Sequence, residues 1–318
     1  MIMSIIRHGY SLRKESLETA NWTQTEGWIS YPTPEPHLKE FLQEKTREWT
    51  ALKVLVPAQE YYYPPRNLVP SHPVKPKPNV FIHPTFVVEH PKNRLISDLR
   101  STNRHLTPIH FKVETWAMLL QLLPSYNWMT SIDIADAYLH VGIAKEDQTF
   151  MLVEILGKIY CPNAMLFGLT GAPRIWTKLT KVPVAILRQN GVVVFVYIDD
   201  LLILGITRED CARNTVLTIQ LLQQLGFLIK WSKCQLFPVQ RLLHFGLIID
   251  LKSKVLEVPE EKLLKLKARL KHASRQTWMP MHRVAVLLGY VQSLTIALFG
   301  ARVFTRQLQA AYRSTQVL

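Results

Sequence analysis

An apolar run, VVVFVYIDDLLILG at residues 192–205, is broken in its middle by two adjacent aspartates. β-Branched and aromatic residues flank the break on both sides. The pattern therefore predicts two strands of a tight hairpin, with Asp199 and Asp200 at or beside the turn. Similar blocks recur along the chain. Residues 80–89 and 94–99, joined by His90-Pro91-Lys92-Asn93, read as a hairpin, as do 150–155 and 158–161 around Gly157. Short strands are expected at 53–56, 128–134, 242–249 and 255–258. Helical patterns fill 35–49, 114–123, 172–190 and 208–225, the last ending at Gly226, and everything from Pro259 onward. In the helix at 172–190, Ile175, Leu179, Val182 and Ile186 form the expected core stripe, and Arg174, Lys178, Lys181 and Arg188 a basic one. Pro183 is expected to kink it. Residues 1–35 read as an extension of weak pattern. Residues 61–78, rich in proline and tyrosine, read equally as a connector or as an arm facing nucleic acid. The apolar stretch 284–301 carries Gly289, Gln292, Ser293 and Thr295, which suits a buried helix better than a membrane span.

Composition narrows the class. The 318 residues carry a net charge of +14 and a pI near 9.7, which points to a polyanionic partner, nucleic acid before membrane. The three cysteines, Cys161, Cys211 and Cys234, lie far apart without a paired spacing, so a reducing, intracellular compartment (cytoplasm or nucleus) is expected. His83, His90, His105 and His110 show no zinc-ligand spacing and read as surface or phosphate-contacting groups. The opening residues are too soon polar for a secretory signal, so the sequon at Asn21-Trp22-Thr23 reads as chance.

The aspartate pair carries the chemistry. A carboxylate costs several kcal/mol to bury unless paired or metal-bound. By itself the pair fits a metal site and a polar hairpin turn equally well. Asp133, which closes the strand beginning at Trp128, tips the balance. Two cations need acidic ligands from separate strands, and Asp133 with Asp199 and Asp200 supplies them if those strands are sheet neighbours. Hard oxygen ligands favour Mg²⁺, or Mn²⁺ in its place.

At this point the chain resembles the reverse transcriptases. Tyr197-Ile198-Asp199-Asp200 is similar to their YxDD box. Asp133 matches the upstream aspartate, and Asp136-Ala137-Tyr138 the segment after it. Phe167-Gly168-Leu169-Thr170-Gly171-Ala172-Pro173-Arg174 matches the FGL motif. Arg94 with DLRSTN at 98–103 matches the fingers motif. Gly226-Phe227 with Lys233, then Leu243-His244-Phe245-Gly246, match the two boxes after the active site. Residues 175–178, 182–184, 187–188 and 191, together with Leu288, Gly289 and Arg302 in the tail, are most similar to DIRS-group retrotransposons. Two departures stand out: Met165-Leu166 replaces the usual Leu-Pro, and the fingers turn is short, with Lys92 its one cation.

The resemblance implies an α+β right-hand polymerase with fingers, an antiparallel palm sheet backed by helices, and a helical thumb. Its expected divisions are an N-terminal extension and first helix (1–50), fingers and palm (51–250) and a thumb-like region (251–318). It implies RNA-directed and DNA-directed DNA synthesis with two Mg²⁺ or Mn²⁺ ions, an RNA template, a DNA primer and dNTP as partners, and no membrane. It also implies roles. Asp133 and Asp199 would be the main metal ligands, with the Ile134 carbonyl helping and Asp200 beside them near the primer end. Tyr138 would exclude a 2′-hydroxyl, Arg94 would clamp the triphosphate, and Phe167 and Gly168 would border the nucleotide. Lys233 would stand near the pyrophosphate. Arg174, Lys178, Lys181 and Tyr197 would face nucleic acid.

Overall fold

The computed structural model describes residues 2–12, 35–58, 80–89, 93–298 and 300–314. The tyrosine- and proline-rich stretch, the sequon, and the turn residues His90, Pro91 and Lys92 lie outside these. The chain divides into two compact units, Met1–Val113 with Ile134–Ala185, and Glu114–Asp133 with Ile186–Leu318. The fold is α+β.

The first unit holds a five-stranded sheet in the order β1 (Leu55–Pro57), β6 (Lys158–Pro162), β5 (Leu152–Ile155), β2 (Ile82–Val88), β3 (Arg94–Ser97). Both hairpins expected from sequence form: β2 pairs with β3 from Thr85↔Ser97 to Val88↔Arg94, and β5 with β6 from Val153↔Tyr160 to Ile155↔Lys158. The helix before β1 spans Pro36–Ala51, with its proline in the first turn, where no intrahelical N–H bond is lost.

The N-terminal segment departs from expectation. Residues 2–8 are helical, and the residues just after them are stitched into the unit. Tyr10 and Leu12 are buried. The Tyr10 N–H donates to Gly142 O, the Ala144 N–H to Tyr10 O, and the Leu12 N–H to Asp147 Oδ2 at 2.8 Å. These partners lie more than a hundred residues away, which is why local pattern gave no sign of them. His83 is a second correction: it is 1% exposed, with Nδ1 2.9 Å from Asp98 O and Nε2 3.0 Å from Phe150 O. Burial lowers its pKa, although its backbone hydrogen bonds and Asp98 oppose the shift. It is a core residue, not a surface one.

The second unit is built on an antiparallel sheet in the order β7 (Val193–Tyr197), β8 (Asp200–Gly205), β4 (Trp128–Asp133), β9 (Gln235–Val239). β8 is buried on both faces. Leu202 and Leu204 join Leu119, Leu123, Met129, Phe195, Ile249 and Leu251 in one cluster. Leu201 and Ile203 are also buried. Each such side chain removed from water stabilises by about 2 kcal/mol. The helix Arg208–Gln224 packs closely on the sheet: a Cβ on Gly205 would lie 2.5 Å from the Cys211 nitrogen, so only glycine fits. Its start is capped by Thr207, whose hydroxyl accepts from the Asp210 N–H.

Sequence pattern missed β9, because Pro238 argues against a strand. It is tolerated because β9 stands at the sheet edge. The run 242–249 is likewise two strands, β10 (Arg241–His244) and β11 (Leu247–Asp250), which pair with β12 (Val255–Glu257) in a second sheet. Three helices come next, Glu260–Ser274, Met281–Leu294 and Ala301–Ser314. Leu266, Leu287, Val291 and Leu294 pack with Leu247. Among the described residues no helix is long and apolar enough to cross a membrane.

The helix Ala172–Gln189 runs through Pro183 to its end. Besides Arg174, its buried residues are Ala172, Ile175, Trp176, Thr180, Pro183, Val184 and Leu187, a clean three-four spacing. Of the expected stripe only Ile175 is buried: Val182 is 44% and Ile186 38% exposed. The inward face is rotated from the expected one, because Trp176 and Thr180 had not been counted in it.

Candidate active site

The aspartates sit where two strands meet. Antiparallel pairing of β4 with β8 places Asp133 directly opposite Asp200, and pairing of β7 with β8 places Tyr197 opposite Asp200. Directly opposed residues share a face of the sheet. Ile198 and Asp199 are the two residues of the turn. Ile198 has φ 57°, a strained value for a β-branched residue. Strain of this kind costs about 1–3 kcal/mol and persists only where the surroundings enforce it.

The three carboxylates feel one another. Burial first, then the charges of Asp199 and Asp133, push Asp200 up to about 6, and Lys233 pulls the other way. Lys233 Nζ donates to Asp133 Oδ2 at 3.0 Å. Desolvation lowers the lysine's pKa, but the hydrogen bond to Asp133 and the charges of all three aspartates outweigh it, and the net shift is upward.

The donor set suits hard divalent cations, and the raised Asp200 reflects its burial first and the neighbouring Asp199 and Asp133 charges second. Among the described residues, no three acidic, histidine or cysteine side chains close around a single point. Mg²⁺ is commonly held by one or two carboxylates and completed by water and substrate phosphates. Asp133, Asp199 and Asp200 are the residues that would hold it.

A five-residue turn after Phe227 fixes Asp133, and sequence reading had found only Lys233 in it. The Lys230 N–H donates to the Asp133 carbonyl at 2.8 Å. The Asp133 N–H points to Cys234 Sγ at 3.4 Å, and that thiol lies 3.4 Å from Lys230 O. Backbone donor, backbone acceptor and carboxylate of one aspartate are thus all held from residues 230–234.

The edge strand β7, which carries Tyr197, is also held. Glu114 Oε2 accepts the Val196 N–H at 2.7 Å and Oε1 pairs with Arg188, which donates to Val194 O at 2.7 Å. Arg188 therefore caps a sheet edge rather than belonging to a basic stripe. Tyr197 is 42% exposed, its ring 5.1 Å from Phe245. Phe245 also meets Trp116 and Phe195, which explains the aromatic in that later motif.

The first unit holds the other candidate residues. Tyr138 and Phe167 rings stand 5.2 Å apart, both half-buried. Gly168 has φ 101°, and a Cβ there would come 3.2 Å from Ser97 O, so glycine is required. Asn103 Nδ2 donates to Gly168 O at 2.8 Å, and the Thr170 N–H to Asn103 Oδ1 at 2.9 Å. The last residue of DLRSTN thus fixes the FGL loop, a role sequence did not assign it. Asp98 and Arg100 form a forked ion pair, consistent with organising rather than chemistry. Arg94 is exposed at the start of β3, and no described carboxylate pairs with it. Along the helix Ala172–Gln189, Lys181 is exposed and Lys178 half-buried. Arg174 is 5% exposed, so Lys181 and not Arg174 presents its charge to solvent.

Residues 76–249, more than half of the chain, match the family described as "Reverse transcriptase (RNA-dependent DNA polymerase)". The chain belongs to the reverse transcriptase family. Among curated relatives, this family member is 29% identical over 210 residues to the Gag-Pol polyprotein of gibbon ape leukemia virus, covering 63% of the chain and 11% of that protein. It is 22% identical over 194 residues to the retrovirus-related Pol polyprotein from transposon gypsy of Drosophila melanogaster, covering 58% and 18%. The chain therefore spans under a fifth of the length of either relative. Among solved structures it resembles the foamy viral protease-reverse transcriptase in complex with double-stranded DNA, at TM-score 0.66 and 16% identity, over 95% of the chain and 48% of that one. The same enzyme with an RNA/DNA hybrid gives TM-score 0.66 at 16% identity, over 92% and 36%. At that identity the likeness supports the polymerase fold.

Proposed function

We propose that this chain is the polymerase portion of a retroelement reverse transcriptase, performing RNA-directed and DNA-directed DNA synthesis by nucleotidyl transfer from dNTP to a primer 3′-hydroxyl. The observation that carries the reading is the register of β4 against β8. It sets Asp133 opposite Asp200 and beside the strained turn that presents Asp199. Two divalent cations, when bound, would supply charge neutralisation for the transferring phosphoryl group.

The protein's own groups would do the rest. Asp133 and Asp199, with the Ile134 carbonyl, would be the principal oxygen donors, and Asp200 would lie near the primer end. Lys233, held on Asp133 and charged at neutral pH, would stand ready to protonate departing pyrophosphate. Tyr138 would present a rigid ring under the sugar and leave no room for a 2′-hydroxyl. Phe167 supports that ring, and Gly168 would let the backbone approach the nucleotide. Arg94, exposed and without an ion-pair partner among the described residues, would clamp the triphosphate by its planar fork. Lys178, Lys181 and Tyr197 would contact the nucleic acid.

In this reading residues 51–250 supply fingers and palm, residues 251–318 a thumb-like region, and residues 1–50 an extension and first helix. The setting would be intracellular. The DIRS-group likeness of residues 175–191 remains our own assignment, beside relatives that are retroviral and gypsy-like.

Incubation with Mg²⁺, a primed RNA template and either deoxy- or ribonucleotides tests it. Extension with deoxynucleotides is expected. Template binding without any extension would leave a nucleic-acid-binding protein instead, and extension with ribonucleotides alone would overturn the role of Tyr138.

A further inference from the structure

A groove of about 440 Å³ in the first unit lies apart from every residue assigned above. One wall is the helix Pro36–Ala51, which contributes Lys39, Gln43, Thr46 and Arg47. Lys39, Gln43 and Arg47 recur every four residues, so they line one helix face at about 6 Å steps along the axis. The other wall is the β5–β6 hairpin, with Ile155, Leu156, Lys158 and Tyr160. Lys158 and Tyr160 are two apart on one strand and so share its face.

The chemistry of the walls is specific. Lys39, Arg47 and Lys158 are exposed, and no carboxylate among the described residues forms an ion pair with any of them. Of the nearby acids, Glu48 pairs with Lys45 at 2.7 Å and Glu89 with His37, while Glu40 and Glu44 stand exposed on the same helix. With the cations, the groove is lined by a half-buried Tyr160, the exposed Leu156 and the buried Ile155. Leu156 sits at φ 51° in a two-residue turn and is 37% exposed, so the hairpin tip holds an apolar side chain toward solvent. Cations spaced along a groove, with an aromatic face and apolar surface beside them, are what a flexible polyanion with stacking bases needs.

We infer that this groove binds single-stranded nucleic acid, with Lys39, Arg47 and Lys158 on backbone phosphates and Tyr160 stacking on a base. The site needs neither metal nor dNTP, so it stands or falls independently of the polymerase reading.

The test uses the full chain, without divalent cation or nucleotide, and a fluorescein-labelled twelve-base thymidine strand followed by anisotropy over a salt series. The Lys39→Ala/Arg47→Ala/Lys158→Ala variant should lower the slope of log affinity against log salt by about 2, the value for three single-strand phosphate contacts. Tyr160→Leu should weaken binding about ten-fold with little change in slope. A strand carrying 5-iodouracil should photocrosslink to Tyr160. Thermal melting reports whether each variant is folded. An unchanged salt slope in the folded triple variant would overturn the inference, as would absence of the Tyr160 crosslink. Equal competition by a poly-glutamate peptide of the same charge would overturn it in favour of an acidic protein partner.

Discussion

Two hairpin turns in the second unit differ in a telling way. Phe245-Gly246 joins β10 to β11, with φ of 47° and 75°. Both values are positive, as the two-residue turn matching strand twist demands, and glycine takes the second place. The same chemistry recurs in the first unit at Leu156-Gly157, with φ of 51° and 77°. Ile198-Asp199, between β7 and β8, has no glycine. Its positive φ falls at the first turn residue, where glycine is the usual choice, on a β-branched isoleucine. Turns that only reverse the chain follow the local rule. The turn that presents the carboxylates breaks it, held by a β8 that is buried on both faces and by the Glu114 and Arg188 cap on β7.

The sharpest break of that comparison is Asp199→Asn. It should lower primer extension by about a thousand-fold, the scale of losing one charge-stabilising group in a site, while the melting temperature stays within a degree or two. An equally large loss of stability would mean that the turn, not the charge, had been the point.

The next effect belongs to the strand end beside the other turn. His244 is 6% exposed, and burial lowers its pKa from 6.5 to about 4. The folded state therefore binds its proton less readily than the unfolded chain. Its contribution is fully present above 6.5 and lost as pH falls toward 4. Stability should drop by about 2 kcal/mol between about pH 7 and pH 5 from this group. Urea unfolding at the two pH values measures it, and His244→Phe should flatten that part of the dependence.

Substituting the turns themselves gives smaller, opposed effects. Gly246→Ala should cost about 1–2 kcal/mol, since alanine resists a positive φ. The Lys262 ammonium, 2.2 Å from the new Cβ, can swing away. Ile198→Gly should fall within about 1 kcal/mol of neutral, on the stabilising side, because relief of the strained φ offsets the added freedom of glycine. Its extension activity should nonetheless fall, because Asp199 loses a fixed bearing. Chemical denaturation and primer extension on the same preparations would show whether stability and activity part company. A large destabilisation by Ile198→Gly would show that the isoleucine side chain, not the turn geometry, holds the hairpin.

Much of this was legible beforehand where local pattern decides. The hairpin at 192–205 shows because both flanks are strongly β-forming, and the helices at 35–49 and 208–225 because caps and breakers bound them. The site residues are named by their motifs. Legibility failed where a distant partner sets the outcome. Leu12 is buried through Asp147, and β9 is a strand only because β4 offers it an edge. Arg188 looks like one cation among four until Glu114 is placed beside it.

The sequence by itself determined most of the elements, the carboxylates and the family, because periodicity and short motifs are local properties written in consecutive residues. The tertiary structure decided the register that sets Asp133 opposite Asp200. It also decided the grip of residues 230–234 on Asp133, the burial and neighbouring carboxylates that raise Asp200, and the inward face of the long helix. Those depend on strand pairing and burial between residues up to a hundred positions apart, where a shift of one residue would turn every side chain to the other face.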